Sequence, residues 1–502
     1  MLKAVAIAAA AAALAAPSAV AGRGLQVGVA EDAAIWGDPD TEMELAKQAG
    51  YDTIRLTAQW TAGQTAIPGL LMGRLQRAAT AATRRGIRPV VSIYNRAETF
   101  TPSEPTSRAQ FVSFAVSVVR ELPWVTTFFV GNEPNSNVYW RPQFDPKGGD
   151  AAAAAYEQLL AVTYDAIKAV RPNVTIVGGA LDSRGTDDAR SKKQSHSPTA
   201  FIRDLGAAYR ASGRRAPIMD VFDEHVYADN SALPPSMPHA GTGIAAGDYA
   251  KLVAALGKAF DGTAQKGSTL PILYGEFGVE SAIPASKAPL YHGTQSAPAV
   301  DEATQARYYA ETLKLALCAP NVIGLTMFHV TDESDLAGWQ SGLFYADGTP
   351  KSSMWFVHAA IAAARAGTLA SCPDGIAPTV SLQVGDGSIT ASASDNTGVG
   401  AVQLLVDDRI VGVDYVAPYR FAWRPPKKRR YVVEARAVDA AGNFGAAVAA
   451  VGPRDASGSF AWRAPKTGPV TFRASGVVRR FTARRGSVYR LKVSSLPLSW
   501  QG

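Results

Sequence analysis

The sequence predicts an α/β protein in two parts: a closed (β/α)8 barrel, then an all-β sandwich. Three observations lead there. From Leu25 to about Ala364 short β-prone runs alternate with helical stretches, and eight such units can be counted. Two of the apolar runs stop on a glutamate, in Gly131-Asn132-Glu133-Pro134-Asn135 and in Leu273-Tyr274-Gly275-Glu276-Phe277-Gly278. After Cys372 the long helical patterns end, and alternating runs separated by Asp-Gly and Asp-Asn turns take over.

The strand-like runs of the first part are Leu25–Val29, Thr53–Leu56, Arg88–Ile93, Val125–Val130, Val174–Val177, Met219–Phe222, Ile272–Tyr274 and Ile323–Phe328. Helical segments fall between them, including Glu42–Gln48, Gly69–Arg85, Ser107–Glu121, Ala151–Val170 and Glu302–Leu317. Gly50 and Gly86 stand where helix C-caps belong, each just before the next strand. Long polar segments follow strands four to seven, as in barrels that elaborate their C-terminal face. A nucleotide-binding sheet would want a Gly-rich turn after its first strand, and Gly28-Val29-Ala30-Glu31-Asp32 is not one.

In the second part the expected strands are Thr379–Val384, Ser388–Ala393, Ala401–Val406, Tyr431–Val438 and Ala446–Val451. The segments Ala393-Ser394-Asp395-Asn396-Thr397-Gly398-Val399, Ala417-Pro418-Tyr419 and Ala437-Val438-Asp439-Ala440-Ala441-Gly442-Asn443 resemble bacterial immunoglobulin-like modules of secreted enzymes. The stretch Ala461–Trp500 is β-rich and either completes the sandwich or forms a short separate piece. The expected divisions are a signal peptide over 1–21, a barrel over 22–373, a sandwich over 374–452 and a β-rich segment over 453–502.

Lys3, the apolar run Ala4 to Ala16 and Ala19-Val20-Ala21 have the layout of an export signal with an A-x-A cleavage site. That run has 13 residues, too few for a bilayer core of ~30 Å, so a secreted protein without a transmembrane segment is expected. The two cysteines, Cys318 and Cys372, are then expected to form one disulfide. Residues 376–502 hold 18 Lys/Arg against 8 Asp/Glu, with clusters at Arg424–Arg430, Arg479-Arg480 and Arg484-Arg485. Without a nucleic-acid recognition motif, this charge suggests an anionic wall polymer as a partner or a solvated surface.

Two carboxyls at two strand ends are what glycosidic cleavage needs, one protonated and one ionised, on opposite sides of the bond. Arg55, inside Thr53-Ile54-Arg55-Leu56, is a charge within a strand and requires a partner. His225 and Tyr227 alternate at period two and share one face. Trp36, Trp60, Tyr94, Trp140 and Trp339 fall near strand ends or in the following loops, where aromatic faces can stack on sugars and suggest an open cleft. No metal-ligand set stands out, and no cofactor is expected.

These residues resemble clan A glycoside hydrolases, cellulase-like TIM barrels of the family 5 and family 39 type, over about Leu25 to Ala364. The resemblance implies that Asn132-Glu133 at strand four supplies the acid/base and Glu276 at strand seven the nucleophile. It also implies that Arg55 keeps the nucleophile ionised, that the Tyr227 hydroxyl touches it, and that His225 supports the pair. The chain departs from the pattern at two strand ends. Strand eight reads Thr326-Met327-Phe328-His329 where a tryptophan usually floors the sugar site, leaving Trp339 or His329 for that place. Strand three ends Tyr94-Asn95 where relatives more often carry histidine. The expectation is a monomeric retaining glycoside hydrolase acting on a polysaccharide or oligosaccharide. A transglycosylase with the same residues and a non-catalytic polysaccharide-binding barrel are the alternatives.

Overall fold

The computed structural model describes residues 25–95, 101–239, 241–295 and 297–366. In the C-terminal part it describes 377–385, 387–395, 399–407, 409–414, 417–424, 431–439, 444–451, 458–463, 468–474, 477–483, 488–493 and 498–501. The expected export signal, Cys372 and most of the Arg424–Arg430 cluster lie outside these residues. Two compact units result, one within Ala19–Cys372 and one within Pro373–Gly502.

The first unit is a closed barrel of eight strands. They are β1 (Gln26–Ala30), β2 (Thr53–Trp60), β3 (Arg88–Asn95), β4 (Thr127–Val130), β5 (Thr175–Leu181), β6 (Val221–His225), β7 (Ile272–Phe277) and β8 (Val322–Phe328). Each pairs in parallel with the next, and β8 closes on β1 with Ala30 opposite Phe328. The helices are α1 (Ala33–Trp36), α2 (Pro39–Ala49), α3 (Gly69–Arg84), α4 (Pro105–Glu121), α5 (Ala152–Val170), α6 (Pro198–Ala211), α7 (Tyr249–Phe260), α8 (Glu302–Leu317) and α9 (Ser352–Ala366). None of the described helices is long and apolar enough to cross a membrane.

Local chemistry explains the helix boundaries. Asp38 caps α2 by accepting from the Asp40 and Thr41 amides, with Pro39 at the first helical position. Gly50 ends the helix at φ 90°, a left-handed conformation that costs a residue with a Cβ much more. The apolar faces of the helices pack on the barrel wall in one continuous core. A separate cluster of Val90, Phe129, Val177 and Val221, with Leu273 against it, contributes residues from five consecutive strands. Val221, Asp223 and His225 share one face of β6 by strand alternation, so apolar packing gives way to charge along a single strand.

The second unit is all-β. The strands are β9 (Thr379–Val384), β10 (Ser388–Ser394), β11 (Val399–Val406), β12 (Arg409–Asp414), β13 (Tyr419–Ala422), β14 (Tyr431–Asp439) and β15 (Phe444–Val451). They are followed by β16 (Gly458–Arg463), β17 (Gly468–Ala474), β18 (Val477–Ala483), β19 (Val488–Val493) and β20 (Leu498–Gln501). One sheet runs β13-β10-β9 and another β12-β11-β14-β15-β20-β17-β18, while β16 pairs with β19. The last segment therefore extends the larger sheet through β20, which lies between β15 and β17. A core of Ile389, Val402, Leu404, Phe421, Val433 and neighbouring apolar residues joins the sheets.

Candidate active site

A cavity of about 260 Å³ opens at the C-terminal ends of the barrel strands. Eight of the residues singled out in the sequence line it: Arg55, Tyr94, Asn132, Glu133, Tyr227, Glu276, His329 and Trp339. Glu31, Asp32, Thr57, Tyr139 and Phe328 line it as well.

Each residue around Glu133 has a structural task. Gly131, at φ 92°, leaves β4 where a Cβ would meet the Tyr156 ring at 2.8 Å. The Tyr156 hydroxyl donates to the Val130 carbonyl and accepts from the Gly179 amide, joining β4 to β5. Glu133 takes a positive φ of 41°, and its amide donates to the Ala180 carbonyl at 2.7 Å. Asn135 is fully buried; its amide group bonds both backbone groups of Asp182 and donates to the His196 carbonyl. These bonds hold the turn after β4 against the segment after β5.

Glu276 lies within β7. Its Oε1 takes a hydrogen bond from Arg55 Nη2, and its Oε2 accepts from the Tyr227 hydroxyl at 3.0 Å. Across the cavity Glu133 Oε1 shares a 3.0 Å hydrogen bond with His225 Nδ1. The same nitrogen is 3.5 Å from Glu276 Oε2, so the imidazole stands between the two carboxyls.

This environment drives the two glutamates apart. Burial pushes Glu133 up to about 7, against the hydrogen bond from His225. Burial alone would raise Glu276 too, but the charges of His225 and Arg55, with hydrogen bonds from Arg55 and Tyr227, hold it below the ordinary carboxylate range. His225 is disfavoured as a cation by burial, yet Glu276, Glu133 and Asp223 lift it to about 9. Ligand atoms of Glu133, His225 and Glu276 all lie within 4.8 Å of one another, a spacing that could hold a cation. Arg55 already seats a positive charge on Glu276, which works against a dication there.

Trp339 stands 5.1 Å from the Tyr227 ring and 5.3 Å from Phe328, whose ring lies 4.1 Å from His329. Both residues considered for the floor of the site thus line it. Asn95 points elsewhere: it is buried and donates to the Tyr139 carbonyl, setting the loop that carries Tyr139. Tyr94 packs edge-on against Tyr139 at 5.9 Å. A second cavity of about 560 Å³ shares Tyr227 and Trp339 with the first.

Trp60 requires a correction. The sequence places it at the barrel mouth, but it is fully buried, edge-on to Phe111, with its indole N–H donating to the Gln64 carbonyl. Trp140 is likewise core, packed on Tyr156, and Trp36 is exposed beneath Arg74 rather than at the cavity. Three of the five tryptophan and tyrosine side chains expected to line an open cleft are therefore elsewhere. The sequence also gave no sign of Asp32, whose carboxylate accepts from the Thr57 amide at 2.9 Å while lining the cavity. Burial raises this acid above its usual range.

Cys318 caps α8 and is not a free thiol. Its expected partner, Cys372, is outside the described residues, so that pairing stands as a proposal.

Residues 377–441 match the family model described as bacterial Ig domain. No curated protein matches the chain. Among solved structures the chain is similar to a family 39 glycoside hydrolase from Bacteroides cellulosilyticus WH2. The two are 18% identical, with 96% of this chain and 81% of that one covered and a TM-score of 0.50. It is also similar to a GH5-4 endoglucanase from Clostridium longisporum, at 11% identity, 69% and 96% coverage and a TM-score of 0.45. An exo-beta-1,4-mannosidase from Opitutaceae bacterium strain TAV5 matches at 17% identity and a TM-score of 0.44; 69% of this chain covers 61% of that one. The likeness to the family 39 enzyme establishes a shared fold.

Proposed function

We propose that the protein is an exported glycoside hydrolase that cleaves O-glycosidic bonds with retention of configuration. One observation carries the reading: two glutamates at the ends of β4 and β7, with oxygens within 4.8 Å of each other, occupy environments that favour opposite protonation states. Carboxyl groups ~5–5.5 Å apart suit attack by one of them on the anomeric carbon, whereas inversion leaves room for a water at ~6.5–9.5 Å. In the first step Glu276 attacks carbon as Glu133 protonates the departing oxygen. In the second, Glu133 takes a proton from water, which displaces Glu276.

The other side chains support these two steps. Arg55 and Tyr227 keep Glu276 ionised and aimed. Asn132, 8% exposed beside Glu133, offers an amide to a hydroxyl of the bound sugar. Trp339 and Tyr94 supply aromatic faces. The adjoining cavity behind Tyr227 and Trp339 has room for a further sugar, which also suits a transglycosylase acceptor. The basic C-terminal region is proposed to hold the enzyme against an anionic polymer outside the cell.

The test is Glu276→Ala assayed on a panel of β-linked glucans, mannans, xylans, galactans and aryl glycosides. Turnover should be lost with folding intact, and azide or formate should restore it with inversion of the product. Unchanged hydrolysis by this variant would end the nucleophile assignment. Product analysis of the native protein at high acceptor concentration separates hydrolysis from transglycosylation.

A further inference from the structure

Beneath the two glutamates lies an acid with no part in the double displacement. Asp223, on β6, is fully buried, and neither of its carboxylate oxygens has a side-chain hydrogen-bond partner, the Gly275 amide being the donor that acts on it. The group rests against Gly275, where an added Cβ would fall 2.0 Å from Oδ1 and 2.2 Å from Oδ2. A glycine on β7 thus makes the space this carboxylate occupies.

Two cations face it. Asp223 Oδ2 is 3.9 Å from Arg55 Nη1 and 3.8 Å from His225 Nε2. Both nitrogens are buried and lack hydrogen-bond partners. The opposite ends of the same cations hold the glutamates: Arg55 Nη2 bonds Glu276, and His225 Nδ1 bonds Glu133. A continuous series therefore crosses the barrel as Glu133, His225, Asp223, Arg55 and Glu276. Burying an extra carboxylate is costly unless it is compensated, and an apolar residue on β6 would avoid that cost.

We infer that Asp223 is a positioning residue that keeps His225 cationic and Arg55 oriented, so that the charge on either glutamate is felt by the other. The inference rests on the glycosidase reading above. Without the carboxylate, the imidazolium Nε2 and the guanidinium Nη1 would face each other with no anion on that side, Glu276 touching only their other ends, and His225 is the one able to lose its proton. The other groups acting on His225 are Glu133 after β4, Asp182 after β5, and Glu276 on β7. Tyr227 stands edge-on to its ring at 6.5 Å, and Glu224, beside it on β6, is buried on the opposite face of the strand. Of these, Asp223 alone lies on the Nε2 side within 4 Å. Burial holds Asp223 up at about 6, against the pull of His225 and Arg55, so the carboxylate is ionised at neutral pH.

Removing one anion from this series lowers the proton affinity of the groups that remain. Asp223→Asn keeps the shape and deletes the charge. With a glycoside whose leaving group needs protonation, the basic limb of kcat/KM against pH should move down by about one unit or more. The His225 imidazole, followed by nitrogen-15 NMR without substrate, should titrate at correspondingly lower pH. Gly275→Ala keeps the charge but displaces the carboxylate, and should shift both readouts in the same direction by less. A purely structural role would lower the melting temperature and the rate at all pH values while leaving both titrations in place. If Asp223→Asn folds and its His225 titration matches that of the native protein, the inference fails. Should that variant not fold, an unshifted His225 in Gly275→Ala overturns it. Native protein inert on every glycoside, with His225 still moved by Asp223→Asn, would reject the glycosidase reading and leave the charge coupling standing.

Discussion

Replacing Arg55 with methionine removes the cation from Glu276, the proposed nucleophile, while leaving most of the side-chain volume. The guanidinium bonds Glu276, lies 3.9 Å from Asp223 and sits 5.6 Å above the Phe129 ring. A pair of unit charges ~4 Å apart at an effective dielectric of ~20 interacts by about 4 kcal/mol. His225 at 3.5 Å and the Tyr227 hydroxyl at 3.0 Å still favour ionised Glu276 in the variant. Discounting for these and for relaxation leaves about 2–3 kcal/mol, close to two pH units at ~1.36 kcal/mol each. The ionised carboxylate is the attacking form, so the acid limb of kcat/KM should climb toward neutrality. The loss should be about 10-fold near pH 5, grow as pH falls further, and all but vanish above pH 8. A native pKa held below the unfolded value stabilises the fold above the unfolded pKa, and that contribution disappears as pH falls through the native pKa. The variant's loss of thermal stability should therefore be larger at pH 7 than at pH 3. An aryl glycoside with an acidic phenol isolates this limb, because its departure needs little protonation. A folded variant whose acid limb coincides with that of the native protein would refute the argument.

Glu133→Ala should still form the glycosyl-enzyme from activated aryl glycosides but lose about 10²- to 10⁴-fold on natural glycosides. In the native protein the rate on natural glycosides should fall as pH rises through about 7, where Glu133 gives up its proton, and equal losses on both substrate types would point to a structural role. Gly131→Ala introduces a Cβ 2.8 Å from the Tyr156 ring at φ 92°. Strain and overpacking together should cost about 2–4 kcal/mol, read from chemical denaturation, with the activity of the folded fraction reduced as Glu133 shifts. Thiol titration of the unfolded, unreduced protein should find no free cysteine; two free thiols would dismiss the Cys318–Cys372 pairing.

The barrel was legible because each strand carries an apolar run, yet several runs stop short of the strand they mark. β6 was expected at Met219–Phe222 and extends over Val221–His225. Hydrophobic patterning stops at Asp223, Glu224 and His225, although all three are buried. Charges that compensate one another inside a barrel look, in sequence, like the start of a loop. β7 behaves alike, passing Tyr274 to take in Glu276 and Phe277. Glu133 and Glu276 could be found because each closes an apolar run in a recognisable local setting. Asp32 and Tyr139 could not, since their place at the cavity depends on contacts with β2 and β3 that no local pattern encodes. Trp60 misled for a related reason: β2 runs on to that residue, and the indole turns outward toward Phe111 on α4.

The two carboxyls are mounted on unlike supports. Glu276 is part of a barrel strand, paired with β6 opposite His225, and its carbonyl accepts from the Val226 amide. Glu133 stands past the end of β4, held by its amide bond to Ala180, by the Ser136 amide on its carbonyl within the same turn, and by the Asn135 fork. The proposed proton donor is thus mounted more softly than the proposed attacking group. Warming, or substitutions among residues 131–151 and 182–197, should disturb proton delivery before they disturb attack on carbon. In such variants the covalent sugar ester would persist longer, because its breakdown also draws on Glu133. Slow release would then be the first symptom of damage, well ahead of any loss in the capacity to form the ester.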